Sequence, residues 1–406
     1  MQTFGSVLEQ NKGIGPGFDF LRVALSIGVL GWHSVKITTG TLANTDNSAV
    51  WLIGYSILPM FFALSGFLVA GSALRLSMKD FYINRGLRIV PALAVEIFLS
   101  ALLLGPILTS FALSDYFTGG EFYRYFLNIV GYVHFRLPGL FLDNPNSGIV
   151  NQSLWTVPYE LLCYITMSLI IGLGLIKRPA TVVFLGLGIL IAAAIIQATG
   201  YGAGSGSVWE SLKGGVIRRF FLDQGAKLVP SFVIGCAFYL FRQKIPFSRN
   251  VFIALFMLTL ATGFLGDAAW RSQALFHILA LPVLAYLTMY IGLTNIPPLP
   301  IYKNGDYSYG IYLYGYPLQQ TLMQLFPSID VWWMNLLVTI PLVTLFAMGS
   351  WHLVEKPILK WRKNKTLMAR KIEGVEVGIV PGALMPSQLA LPVQLASNGN
   401  ADDAAR

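Results

Sequence analysis

Charge is what this chain has least of: only 12% of its 406 residues are charged, and the acids are outnumbered 19 to 28 by lysine and arginine. So little charge beside 55% hydrophobic residues excludes a disordered chain, and a mean hydropathy of +0.63 excludes an ordinary water-soluble domain. Cysteine is scarce as well. Cys163 and Cys236 both fall inside apolar stretches, which leaves no disulfide framework and no expected metal site, and gives no sign of the redox compartment. The basic residues form no stripe interleaved with aromatics, and no helix-turn-helix or finger spacing occurs, so nucleic acid is not an expected partner.

What is abundant is apolar sequence of spanning length. Stretches near 19–37, 51–74, 89–110, 153–175, 180–198, 229–241, 250–266, 273–292, 307–326 and 333–353 predict an all-α polytopic membrane protein of about ten transmembrane helices, the sixth being short. The first stretch is too long for a signal-peptide core, contains Arg22 and His33 and lacks a small-residue cleavage site, so it is expected to be retained. With ten spans, the side holding both termini gathers 18 lysines and arginines against 8 on the other, which predicts that both termini are cytoplasmic. Those residues would meet anionic membrane lipids first. The expected organisation is a cytoplasmic segment at 1–18, a transmembrane domain at 19–360, and a cytoplasmic tail at 361–406 whose composition reads as disordered. Two long connections, near 111–152 and 199–228, fall on the outer side. The first is aromatic enough for an interfacial or re-entrant helix, and the second is flexible through its Gly200–Ser207 run.

Ionisable groups inside such stretches are costly in hydrocarbon and mark functional positions. Arg22 and His33 are eleven residues apart, so they share one helical face at a separation of roughly 16 Å for ~1.5 Å per residue. His33 falls about 21 Å into a core of roughly 30 Å. Glu160, about seven residues into the fourth span, enters roughly 10 Å from the other surface, so the two can meet at one depth. A carboxylate beside an imidazole is a familiar acid/base pairing; the alternative is an interfacial glutamate and a separate hydrogen-bonded histidine. Arg85 and Arg88 share a face at the start of the third span, as either a phosphate-binding pair or a cytoplasmic anchor. Trp155 suits the outer interface. Tyr309, Tyr312 and Tyr316 form a hydroxyl stripe beside Ser308, either lining a polar cavity or packing as a seam, and His352 with Glu355 reads as a helix end.

Taken in order, Arg22-x10-His33, Arg85-x-x-Arg88, Ser153-Leu154-Trp155 to Glu160, Ser308-Tyr309 to Leu313, and Val354-Glu355-Lys356-Pro357 resemble the acyltransferase 3 family over about residues 18–360. These are integral-membrane acyltransferases, many of which O-acetylate cell-surface polysaccharides or their lipid-linked precursors. The resemblance implies a bacterial cytoplasmic (inner) membrane location, no permanently bound cofactor, acyl-CoA (acetyl-CoA by default) as donor, and a saccharide or lipid-linked saccharide acceptor such as an exopolysaccharide. It implies that His33 is the essential catalytic histidine and that Arg22, Arg85, Arg88 and Glu160 are functional. Trp155, Ser308, Tyr309 and Tyr312 are the further substrate-binding candidates. The hydrolase-like domain fused to some members is not expected here. Gly315 stands where many members carry a histidine, so no second histidine is assigned there. The competing class is a transporter or flippase, in which the same charges would line a path and no bond would form.

Overall fold

The structure, a computed structural model, describes residues 2–42, 50–199, 225–265, 274–297 and 305–372. The Gly200–Ser207 run, the tail from 373, and Lys213, Arg218, Arg219, Arg271 and Lys303 lie outside the described residues. All regular elements described are helices: α1 (Phe4–Gln10), α2 (Phe18–Thr39), α3 (Val50–Ala73) and α4 (Met78–Leu99) come first. The last of these runs on through a π-turn at Ser100–Leu104 to Leu108. Helices α5 (Leu113–Thr118) and α6 (Gly120–Tyr125) and a 3-10 turn (Phe126–Val130) occupy the start of the first long connection. A second 3-10 turn (Gln152–Thr156) leads into α7 (Val157–Gly172), followed by α8 (Pro179–Thr199), α9 (Gly225–Leu240), α10 (Arg249–Leu265) and α11 (Ala274–Leu293). Then come α12 (Ser308–Leu325), α13 (Trp332–Ser350), a π-turn at Trp351–Glu355, and α14 (Lys356–Ile372), so the segment after 361 begins as helix.

A helix occupies each of the ten expected stretches. Among the described residues seven are long and apolar enough to cross a membrane, and α9 and α10 are shorter apolar helices. The protein is a polytopic membrane protein. Large apolar side chains such as Ile107, Leu169, Phe184 and Leu345 point outward, whereas polar groups point in, the arrangement a hydrocarbon solvent favours. Helix α12 shows this best. Gln319 is fully buried and donates to Leu30 O at 3.0 Å and Ser34 Oγ at 2.5 Å, while Asn335 of α13 donates to Gln319 O at 3.3 Å. Its polar residues face α2, α4, α13 and the connection before α7, so α12 does not read as a lipid-exposed span.

Close helix contact rests on small residues. A Cβ on Gly66 would lie 1.9 Å from Phe232 O, and one on Gly235 would lie 2.0 Å from Ala63 O, because α3 and α9 touch backbone to backbone there. Neither carbonyl can move without breaking its own helix. Gly66→Val is therefore expected to destabilise the protein by about 3 kcal/mol, read as a lowered Tm in detergent. Gly188→Ala on α8, which meets nothing within 4 Å, is expected to leave the Tm near wild type; equal effects would contradict the backbone-contact account.

Candidate active site

The face of α2 that carries Arg22 meets α4 and the start of α12, and two cations converge on one carboxylate. Asp306, just before α12 and only 3% exposed, accepts from Arg22 Nη1 at 3.2 Å and closely from Arg88 Nη2. Its other oxygen takes Ser308 Oγ at 2.5 Å. Burial opposes ionisation of Asp306, but Arg88 and then Arg22 outweigh it and hold its carboxyl below the usual carboxylate range. Arg22 also meets Asp19 at 3.5 Å, and Arg88 meets Glu355 at 3.9 Å. The π-turn at Trp351–Glu355 inserts an extra residue's worth of rotation at the end of α13 and leaves Glu355 inward, 2% exposed, with Ser350 Oγ donating to its Oε1 at 3.2 Å.

Arg22, Arg88 and Ser308 border a cavity of about 150 Å³. Arg85 joins them in the lining, with Glu160 and Tyr164 of α7, Phe61 of α3, and Tyr309 and Tyr312 of α12. Arg85 differs from the other two arginines because it makes no ion pair among the described residues, and its Nε has no hydrogen-bond partner. Tyr309 Oη donates to Ile89 O at 3.2 Å, tying α12 to α4. Tyr312 Oη is 2.7 Å from Thr156 Oγ1 and donates to Ser153 O at 3.0 Å, tying α12 to the turn before α7. The tyrosine stripe thus both lines the cavity and packs.

His33 stands apart from this cavity. Its ring is half-buried and meets Tyr316 edge-on, with centroids 4.9 Å apart at 74°, and neither ring nitrogen is hydrogen-bonded among the described residues. No hydrogen bond or ion pair joins it to Glu160. The expected pairing of the two does not form: α7 turns Glu160 toward Tyr164 and the arginines, whereas α2 turns His33 toward α12. Because Tyr312 lines the cavity and Tyr316, one turn on, touches His33, the same face of α12 runs from the arginines to the imidazole. Trp155 does not line the cavity; it packs edge-on against Tyr159 at 5.6 Å.

Several polar residues here had no place in the sequence reading. Asp306 was visible only as one letter of a Gly-Asp-Tyr-Ser run. Spacing pairs Glu355 with His352 at a helix end, but His352 Nε2 meets Tyr307 Oη at 3.2 Å while Glu355 turns to Arg88. Glu96, 1% exposed in the middle of α4, accepts from Ser100 Oγ and Asn151 Nδ2, both at 2.9 Å. The same Asn151 donates to Leu313 O at 2.9 Å and accepts from Ser153 N at 3.0 Å, so Glu96 anchors the turn that presents Thr156 and Glu160.

The sequence matches the acyltransferase 3 family, described as an acyltransferase domain, over residues 16–354. The chain belongs to the acyltransferase 3 family. It is similar to a protein named O-acetyl transferase from Shigella phage Sf6, 26% identical over 317 residues that cover 74% of this chain and 83% of that protein. It is also similar to Nodulation protein 10 from Rhizobium leguminosarum bv. viciae, 26% identical over 394 residues, 90% of this chain and 98% of that protein. No solved structure matches. The protein is therefore a membrane acyltransferase, and its matched region holds both the arginine cavity and His33.

Proposed function

We propose that this acyltransferase moves an acetyl group from acetyl-CoA to a hydroxyl of a cell-surface saccharide or its lipid-linked precursor, within a bacterial inner membrane and with both termini in the cytoplasm. The observation that carries the reading is the arrangement along α2: an arginine-lined cavity at one end, an imidazole with no hydrogen bond among the described residues about 16 Å away by helical rise, and one tyrosine face of α12 joining them. A coenzyme A donor has the matching shape, with phosphates at one end and a thioester on a long thin arm. Arg85, whose guanidinium has no carboxylate partner among the described residues, would take the phosphates with Arg22 and Arg88 beside it. His33 would remove the proton from the acceptor hydroxyl as its oxygen attacks the thioester carbonyl. The C–S bond breaks as the C–O ester bond forms, and the proton passes from His33 to the departing thiolate. The relative named O-acetyl transferase favours acetyl as the group. The excess of basic residues on the terminal side favours cytoplasmic termini. Glu160, on the cavity wall without an ion pair among the described residues, is assigned to the donor side.

The test is loss of the acetyl-CoA thioester by the purified full chain in lipid nanodiscs, with and without saccharide. Acceptor-dependent loss with label recovered in the saccharide is expected; saccharide movement without thioester loss would favour transport and overturn the proposal. Within this scheme Arg85→Gln is expected to raise the KM for acetyl-CoA about tenfold or more, from loss of one charge-assisted contact of ~1.5–3 kcal/mol, with little change in Tm. An unchanged KM would remove Arg85 from donor binding.

A further inference from the structure

Past His33, seen from Arg22, α2 carries one more charge. Lys36 lies one turn further on, and its Nζ donates to Gln152 Oε1 at 3.0 Å. No described carboxylate comes within ion-pair distance of it. Gln152 Oε1 also accepts from Tyr316 Oη at 3.2 Å, and Tyr316 is held by Asn146 Nδ2 and touches the His33 ring. Two donors converge on one end of the Gln152 amide, so that end is the oxygen. The NH₂ group faces away with both hydrogens free of partners among the described residues, on a side chain that is only half-buried.

The cations near the arginine cavity are mostly matched by acids, which offsets the cost of burying them. Asp19 and Asp306 serve Arg22, Asp306 and Glu355 serve Arg88, and Asp80 serves Arg362. Arg85 is an exception assigned to the donor's phosphates. Lys36 is another, and it lies on the opposite side of His33, where the donor does not reach and the hydroxyl must arrive. We propose that Lys36 and Gln152 form the acceptor subsite and select a saccharide bearing a carboxylate, that is, a uronic acid residue. Lys36 pairs with the carboxylate, the Gln152 amide donates to a neighbouring sugar oxygen, and a hydroxyl of the same unit is presented to His33. This inference rests on the transfer reading above.

The test uses the full chain in nanodiscs with acetyl-CoA and two probes, methyl β-glucuronide and methyl β-glucoside. The glucuronide is expected to be preferred by about tenfold in kcat/KM, equivalent to ~1.4 kcal/mol. Lys36→Gln is expected to bring the ratio near one, and Lys36→Arg to keep it. A ratio near one in the wild type overturns the proposal. So does a preference that survives Lys36→Gln, because the lysine would then serve only the end of α2 or the lipid surface. Acylation of some other saccharide but of neither glycoside overturns it as well. Absence of transfer to any saccharide defeats the transfer reading itself, and this inference with it.

Discussion

Replacing His33 with alanine lowers acyl transfer by about 10²–10⁴-fold, the contribution of a positioned general base, while the protein folds and accumulates normally. Normal folding is expected because the ring holds no hydrogen bond among the described residues and is only half-buried against Tyr316; its loss leaves no orphaned partner. The measurement is thioester consumption together with acyl content of the saccharide, with size-exclusion behaviour as the folding control. His33→Gln keeps the polarity but supplies no base near neutral pH, and is expected to be as inactive as His33→Ala. Wild-type rates in either variant would take His33 out of the chemistry, whatever its position.

Removing the shared carboxylate has the largest expected effect on stability. Asp306→Ala leaves Arg22 and Arg88 facing each other across the place where Asp306 stood, and breaking a buried ion network costs about 3–5 kcal/mol. Asp19 at 3.5 Å and Glu355 at 3.9 Å are too loosely engaged to replace it. The expected result is a much lower Tm and little folded protein. Combining Asp306→Ala with Arg22→Gln is expected to recover part of the loss, because one unpaired cation is removed along with its partner. If the two losses simply add, the carboxylate is not coupled to Arg22 as the geometry implies. Arg85→Gln, by contrast, is expected to change donor KM without this collapse, which separates the arginine that waits for a ligand from the two that are held by acids.

Much of the architecture was legible because hydrocarbon imposes a length and a composition. Helices stand at all ten apolar stretches, and α12 was found in spite of Gln319 and Gln320, which face protein rather than lipid. The gathering of Arg22, Arg85, Arg88, Glu160, Ser308, Tyr309 and Tyr312 around one cavity also matches the ordered set of motifs. What could not be read was rotation about helix axes. His33 on α2 and Glu160 on α7 turn to different neighbours, which spacing along the sequence does not encode. Glu355 could not be assigned to Arg88 because the π-turn that rotates it inward leaves no periodic signature. Asp306 and Glu96 are single acids whose importance comes from partners hundreds or tens of residues away, a relation that spacing does not encode.

A donor held at the Arg22 end and an acceptor bound at the Lys36 end are expected to meet at His33 inside the bilayer. Proteoliposomes with the chain in one orientation test this directly: acetyl-labelled acetyl-CoA is supplied only on the side of Arg22, and saccharide only on the side of Lys36. Labelled saccharide appearing on the Lys36 side, with matching loss of thioester and no leak of either substrate, is the predicted result. Transfer only when both substrates share a side would contradict it.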